Sequence, residues 1–314
     1  MCRPWAERLR RLLRRLKEPV DVSAEPVHFR RIAIVGLGLI GGSWALALER
    51  ARIHAERVGC DQRSVLRRAL ACGAIERGST SLTHATQDAD LIIVATPIGT
   101  ILKQLRTLSQ CASPGALITD VGSTKQSICE RARQLFKNGA LFLGGHPLAG
   151  RERSGFGSAG AELLRGATYL LSPVAASDLG DPRVQAFERL VRRIGARPHI
   201  ADAAVHDRQV AYLSHLPQLV STALASLMVD NTGPKALSLE WAASGFRDMT
   251  RLAESPYHVW RDICQTNSRN IEKALDELTR KLQMIRRHLK TPRLEAEFQQ
   301  ALKLRRELRK VVSS

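Results

Sequence analysis

Aromatic side chains are scarce in this 314-residue chain, at 4% of the total. Stacking platforms of the kind that hold single-stranded nucleic acid are correspondingly few, so no specific nucleic-acid partner is expected. Long apolar runs are also missing. The most continuous, Leu91 to Ala95, has the length of a strand and falls far short of the ~20 residues a membrane-spanning helix needs. A soluble, cytoplasmic protein without a membrane span is the expectation. The six cysteines stand at 2, 60, 72, 111, 129 and 264. None forms a Cys-x-x-Cys pair or lies near a histidine at zinc-ligand spacing, which excludes a recognisable metal or dithiol site. No internal repeat is visible.

Positive charge is abundant. Lys and Arg number 48 against 30 Asp and Glu, for a net charge of +18, a field that attracts dinucleotides and polycarboxylate metabolites among other anions. Much of the excess sits at the ends, in Arg8, Arg10, Arg11, Arg14, Arg15 and Lys17 and again in Lys303, Arg305, Arg306, Arg309 and Lys310. Within residues 1–28, Trp5, Leu9, Leu12, Leu13 and Leu16 recur at helical spacing until Pro19 and Pro26 break the pattern. This segment reads as a poorly ordered basic arm.

The rest of the chain has a globular balance, 44% hydrophobic and 25% charged, and is long enough for two domains. Residues 29–180 alternate short apolar runs with helical periods: strands at 32–35, 57–61, 91–95, 116–120, 141–145 and 168–172, helices at 40–50, 64–71, 98–108 and 125–136. Such alternation implies an α/β fold, a doubly wound and mostly parallel sheet with helices on both faces. Residues 181–314 read as helix throughout, over 203–230, 233–243, 257–288 and 294–312. A helical domain of this kind completes a substrate cleft or forms the core of a homodimer, because long helices need an apolar partner surface.

Gly36-x-Gly38-x-x-Gly41 lies between the first apolar strand and the first helix. In that setting the pattern is a Rossmann-type dinucleotide fingerprint. Gly36 allows the tight turn, Gly38 lets a pyrophosphate approach the helix N-terminus, and Gly41 lets the helix pack on the strand. Leu39 and Ile40 inside the loop, and Thr96 and Pro97 after the Leu91 strand, complete the expected cofactor contacts. Asp61 ends the second strand, where a carboxylate meets the ribose hydroxyls and repels a 2′-phosphate. NAD is therefore favoured, with Arg63 beside it leaving NADP open.

Four polar segments fall at the ends of these elements, where open sheets bind ligands: 120–125 with Ser123, 144–155 with His146 and Glu152, 214–218 with His215 and Gln218, and 245–251 with Arg247, Asp248 and Arg251. In this order behind the glycine loop, they resemble the prephenate and arogenate dehydrogenases of tyrosine biosynthesis, over roughly residues 30 to 290. The resemblance implies oxidative decarboxylation of a cyclohexadiene substrate, prephenate or arogenate, by a stand-alone catalytic unit. Such an enzyme must orient hydride transfer, accept the polarity of a ring hydroxyl and hold carboxylates. A neutral imidazole suits the second task, which makes His146 the candidate base, with Ser123 sharing the hydroxyl and holding the ring. The planar fork of Arg251 suits a carboxylate. Asp248 reads as an orienting partner and Glu152 as an acidic residue at the cleft mouth. The resemblance also brings His215 and Trp260 to the site, the latter reaching across a dimer. Gln218 stands where the prephenate-using branch often has a second histidine, and so touches the choice between a keto and an amino side chain.

Overall fold

The computed structural model describes residues 28–137, 139–150, 153–230 and 239–313. Apart from His28, the basic arm assigned to residues 1–28 lies outside the described residues, as do Glu152 and most of the helix expected at 233–243.

Eight strands form one sheet in the order β3-β2-β1-β4-β5-β6-β7-β8. They are β1 (Arg31–Val35), β2 (Glu56–Cys60), β3 (Arg77–Ser79), β4 (Leu91–Val94), β5 (Leu117–Asp120), β6 (Leu141–Pro147), β7 (Thr168–Pro173) and β8 (Arg197–Ile200). Strands β1 to β6 pair in parallel, β7 runs antiparallel to β6, and β8 is parallel to β7. The connecting helices are α1 (Leu39–Arg50), α2 (Arg63–Ala71), α3 (Leu82–Thr86), α4 (Ile98–Cys111), α5 (Gln126–Leu135) and α6 (Pro182–Arg193). Because β1 lies between β2 and β4, the chain reverses direction across the sheet at β1. A crevice opens there at the strand ends.

Alternating side chains supply two cores. On one face Ile32, Ile34, Leu91, Ile93 and Leu143 pack with Trp44 of α1 and Phe187 of α6. Trp44 stacks on Phe187 at 5.8 Å between centroids and meets Tyr169 edge-on at 5.7 Å. On the other face Val35, Ile92, Val94, Ile118 and Phe142 pack with Ile101 and Leu105 of α4, and with Ala211, Ile263 and Ile271 from the helical part of the chain. The helical part is thus seated on the sheet by apolar contact.

The sheet outlasts the change of composition at residue 180. Helix α6 and strand β8 belong to it, and the helical part begins after Ile200. Strand β8 is an edge strand of sequence Arg197-Pro198-His199-Ile200. Proline is tolerated at an edge, but such a strand carries no apolar run to betray it.

Beyond β8 the described residues are helical: α7 (Ala203–Val210), α8 (Leu216–Asp230), α9 (Ser244–Thr250), α10 (Tyr257–Thr266), α11 (Ser268–Arg287) and α12 (Arg293–Ser313). A π turn, Ala211–His215, joins α7 to α8. Pro217 follows at once, and a proline inside a helix lacks an N–H and crowds the carbonyl four residues back. The widened turn accommodates both effects. The single helix expected over 257–288 is two, broken at Asn267, whose buried amide bonds sideways to Asp207 and His215. Between Leu239 and Trp241 the chain makes a short 3-10 turn where helix was expected.

Candidate active site

The crevice beside β1 is a cleft of about 520 Å³ whose wall includes Gly38, Leu39, Ile40, Thr96, Pro97, Ser123 and His146. Gly36 sits at φ +89°, and a Cβ there would come within 2.7 Å of the Ala95 carbonyl oxygen. A Cβ on Gly41 would lie 1.8 Å from the Gly36 oxygen. These two glycines let strand, loop and helix touch. Gly38 differs, because space is open where its Cβ would be. The first turn of α1 carries no acidic residue, so its N–H groups and dipole are left for an anion. The residues present therefore fit a dinucleotide pyrophosphate. Asp61 is not part of the cleft wall. Its carboxylate accepts the Leu37 N–H at 2.6 Å and the Gln62 N–H at 2.6 Å, pinning the glycine loop to the end of β2. Arg63 is exposed beside it.

His146 stands near the end of β6 and is fixed on two sides. On the backbone side, the Gly145 N–H donates to Asp120 Oδ1 at 3.1 Å. Asp120 Oδ2 accepts from the Gly122 N–H at 2.8 Å and from the Lys125 ammonium, and Asp120 and Lys125 are both fully buried. On the side-chain side, His146 Nδ1 lies 2.8 Å from His206 Nε2, and His206 Nδ1 lies 2.7 Å from Asp207 Oδ1. That carboxylate also accepts the N–H groups of Lys125 at 2.6 Å and Gln126 at 2.9 Å, at the N-terminus of α5. The hydrogen bonds thus run from His146 through α7 and α5 to Asp120, and back to the residue before His146. Burial first, and then the nearby His206, Lys125 and His215, hold the His146 imidazole well below the usual histidine range, so it is neutral at physiological pH.

The expected site residues fall into three groups. Ser123, His146 and Trp260 line the cleft together, but it is His206, and not Ser123, that bonds the imidazole. His215 and Gln218 are buried behind the wall. His215 Nδ1 meets the Asn267 amide at 3.2 Å, and its ring faces Trp260 edge-on at 5.8 Å. Burial brings His215 down to about 4. Gln218 Nε2 donates to the Leu252 carbonyl at 2.7 Å. Arg251, Arg247 and Asp248 form the third group. They are exposed and absent from the cleft wall of their own subunit, because α9 and the 3-10 turn Arg251–Glu254 pack on α8 instead. Arg251, assigned to a substrate carboxylate from its motif, is therefore not beside His146 in the cleft wall of its own chain. Arg153 is a cation that does line the cleft.

Sequence reasoning missed His206, Asp207 and Asn267. Their signal was a His-Asp pair about two helical turns ahead of Ser214 and His215, on a helix that runs into the same polar segment. On the far side of His146, a groove of about 1200 Å³ shares Ser123, His146 and Ser214 with the cleft and continues along His199, Arg208 and Leu213. Leu213 is 76% exposed and Trp241 86% exposed, so the helical part presents apolar surface to its surroundings.

A glycine loop at the switch point of a parallel sheet, with a neutral histidine at the mouth of the crevice and a helical domain closing it, defines a dinucleotide-dependent dehydrogenase. The chain belongs to the prephenate dehydrogenase family. Residues 44–200 match that family's nucleotide-binding domain and residues 202–304 its dimerization domain. A prephenate dehydrogenase of Lactococcus lactis is 35% identical over 81% of this chain and 71% of its own length. The fold is similar to that of Aquifex aeolicus prephenate dehydrogenase in complex with hydroxyphenyl propionate and NAD+, at TM-score 0.80 and 28% identity, covering 90% of this chain and 99% of that one. It is also similar to Synechocystis arogenate dehydrogenase, at TM-score 0.74 and 32% identity, covering 88% of this chain and 99% of that one. Among the described residues no helix is long and apolar enough to cross a membrane.

Proposed function

We propose that the protein is an NAD-dependent prephenate dehydrogenase, acting as a homodimer in the cytoplasm and forming 4-hydroxyphenylpyruvate for tyrosine synthesis. One observation carries this reading: the neutral imidazole of His146, bonded through Nδ1, lies where the dinucleotide cleft meets the groove beyond it. NAD held along Gly38, Leu39 and Ile40 supplies the hydride acceptor. His146 Nε2 accepts the proton of the ring hydroxyl as that carbon gives up its hydrogen. It returns the proton to the phenolate oxygen once the ring carboxylate has left as carbon dioxide. Ser123, on the same wall, hydrogen-bonds the hydroxyl and orients it. Asp61, at the end of β2, is assigned to the adenosine ribose, because a carboxylate there disfavours a 2′-phosphate.

Substrate carboxylates call for cations. Arg153 supplies one from the cleft wall. Arg251 serves the site of the neighbouring subunit, since it is exposed on a segment whose apolar residues Trp241, Met249 and Tyr257 are exposed with it. Glu152 acts at the cleft mouth and Asp248 orients the arginines.

A second reading, arogenate as substrate, is favoured by Gln218 in place of a second histidine and by the likeness to an arogenate dehydrogenase. The deciding experiment assays purified protein with prephenate and with arogenate, each crossed with NAD and NADP, by reduced-cofactor absorbance. Turnover of prephenate with NAD at least tenfold above the other pairs is expected. Absence of turnover in all four ends the proposal.

A further inference from the structure

The chain of hydrogen bonds behind His146 has a direction. A carboxylate only accepts, so His206 must present Nδ1–H to Asp207 across their 2.7 Å contact. Provided that each ring carries a single proton, the chain closes in one way. His206 Nε2 accepts, His146 Nδ1 donates over 2.8 Å, and the lone pair of His146, a residue of the cleft wall, is left on Nε2. In water a free imidazole prefers the opposite tautomer, with its proton on the ε nitrogen, and in that form His146 would present a donor where a base is needed.

Resting on the activity proposed above, we propose that His206 and Asp207 are positioning residues that select the tautomer of His146 and thereby make it a base toward the cleft. The arrangement is built to hold. His206 and Asp207 are each at most 2% exposed. The Asp207 carboxylate is anchored by two backbone N–H groups at the start of α5, and its backbone carbonyl accepts the Asn267 amide at 2.8 Å. The two residues sit on α7, in the helical part, while His146 and α5 belong to the sheet. The tautomer is therefore set only when the two parts are packed together. When His146 takes the hydroxyl proton, its Nδ1–H remains toward His206 and the new charge is answered by the carboxylate one ring further on. The other charged or titratable groups around this chain include Lys125, whose ammonium is bound by Asp120, His215, and the buried thiol of Cys129 beside Asp207 and Asp120.

Nitrogen-15 NMR of the histidine rings tests this without any substrate. In the wild-type protein at pH 7.5, with His146 assigned by its loss in His146→Asn, the expected pattern is a protonated Nδ1 and an unprotonated Nε2. The opposite pattern overturns the proposal, even if the enzyme uses prephenate as proposed. Kinetics provide a second reading. His206→Leu is expected to lower kcat by about 100-fold with substrate KM and NAD affinity within about threefold, the range general-base help commands. His206→Gln places an amide oxygen near the same point, where it can accept the Nδ1–H, and is expected to recover at least a tenth of wild-type kcat. Equal losses in both variants, or an unchanged kcat in His206→Leu, overturn the proposal. Should His206→Leu fail to fold, the wild-type spectrum still decides.

Discussion

The side-chain amide of Gln218 donates to the backbone carbonyl of Leu252 at 2.7 Å, tying helix α8 to the turn that begins at Arg251. Gln218 is 4% exposed and is not part of the cleft wall. If Gln218 acts on substrate choice, it does so through the position of that turn. We predict that Gln218→Met, which leaves the Leu252 carbonyl without its donor, destabilises the fold by about 1–3 kcal/mol. It should also raise the substrate KM several-fold while the NAD KM stays constant. Gln218→His keeps an N–H donor and should stay close to wild type in stability. Urea unfolding and initial rates measure both, and an unchanged substrate KM in Gln218→Met removes the link to the turn.

Asp61 has two tasks that one substitution separates. Its carboxylate accepts the Leu37 N–H and so shapes the glycine loop, and under the proposed function its charge disfavours a 2′-phosphate on the ribose. Asp61→Asn keeps an acceptor oxygen for Leu37 but removes the charge. The expected result is a shift of about tenfold in the ratio of NAD to NADP specificity, toward NADP, corresponding to about 1.4 kcal/mol. Asp61→Ala should in addition weaken NAD binding, because the loop loses its anchor. If Asp61→Asn leaves the ratio of kcat/KM values unchanged, the carboxylate is purely structural.

The two low histidines make stability depend on pH in a known direction. His146 lies well below its ordinary value and His215 at about 4. In the unfolded chain both titrate near the usual ~6.5. Below that pH the unfolded state binds protons that the folded state refuses. Stability is therefore complete above pH ~6.5 and declines on acidification toward about 4, at up to ~1.4 kcal/mol per pH unit for each histidine. Glu76, Asp181 and Asp262, which are held below the usual carboxylate range, add their own loss only below pH ~4.5. Urea midpoints from pH 7.5 to 4.5 measure the slope, and His215→Gln should flatten it. A midpoint constant over that interval contradicts the burial of both imidazoles in neutral form. The same lowering keeps His146 in its base form under mild acid, so the acid limb of kcat/KM should lie well below the usual histidine range.

What the sequence made legible follows from burial. Strands β1, β4 and β5 are covered on both faces, so each carries a run of apolar residues that composition alone reveals. The two strands that went unread, β3 and β8, are the two edges of the sheet, of sequence Arg77-Gly78-Ser79 and Arg197-Pro198-His199-Ile200. An edge is buried on few sides and needs no such run. The site divides in the same way. Gly36, Gly38 and His146 belong to local motifs, whose geometry a short stretch of chain determines. His206 and Asp207 act only because α7 lies against the end of β6 and the start of α5, and that contact joins residues 60 positions and more apart. Apart from their place two helical turns ahead of Ser214 and His215, nothing near them in sequence distinguishes them from the solvated charges of an ordinary helix. The assignment of Gln218 to the substrate side chain missed its backbone contact for the same reason.

Arg251 raises the remaining question, because a guanidinium suited to a carboxylate stands outside the cleft of its own chain. If it completes the neighbouring site, each active site draws His146 from one subunit and Arg251 from the other. Two inactive variants then complement each other. His146→Asn lacks the base and Arg251→Ala lacks the clamp, and each homodimer is defective at both sites. A mixed dimer has one site with both defects and one with neither. Unfolding and refolding an equal mixture gives half mixed dimers, so about a quarter of wild-type activity should return, against almost none in either variant alone. If Arg251 serves its own chain through a movement of the helical part, every site in the mixture keeps one defect and no activity returns. Native mass spectrometry of the mixture, with one variant isotopically labelled, establishes that mixed dimers formed. Silence in the assay then counts against a shared site and not against the exchange.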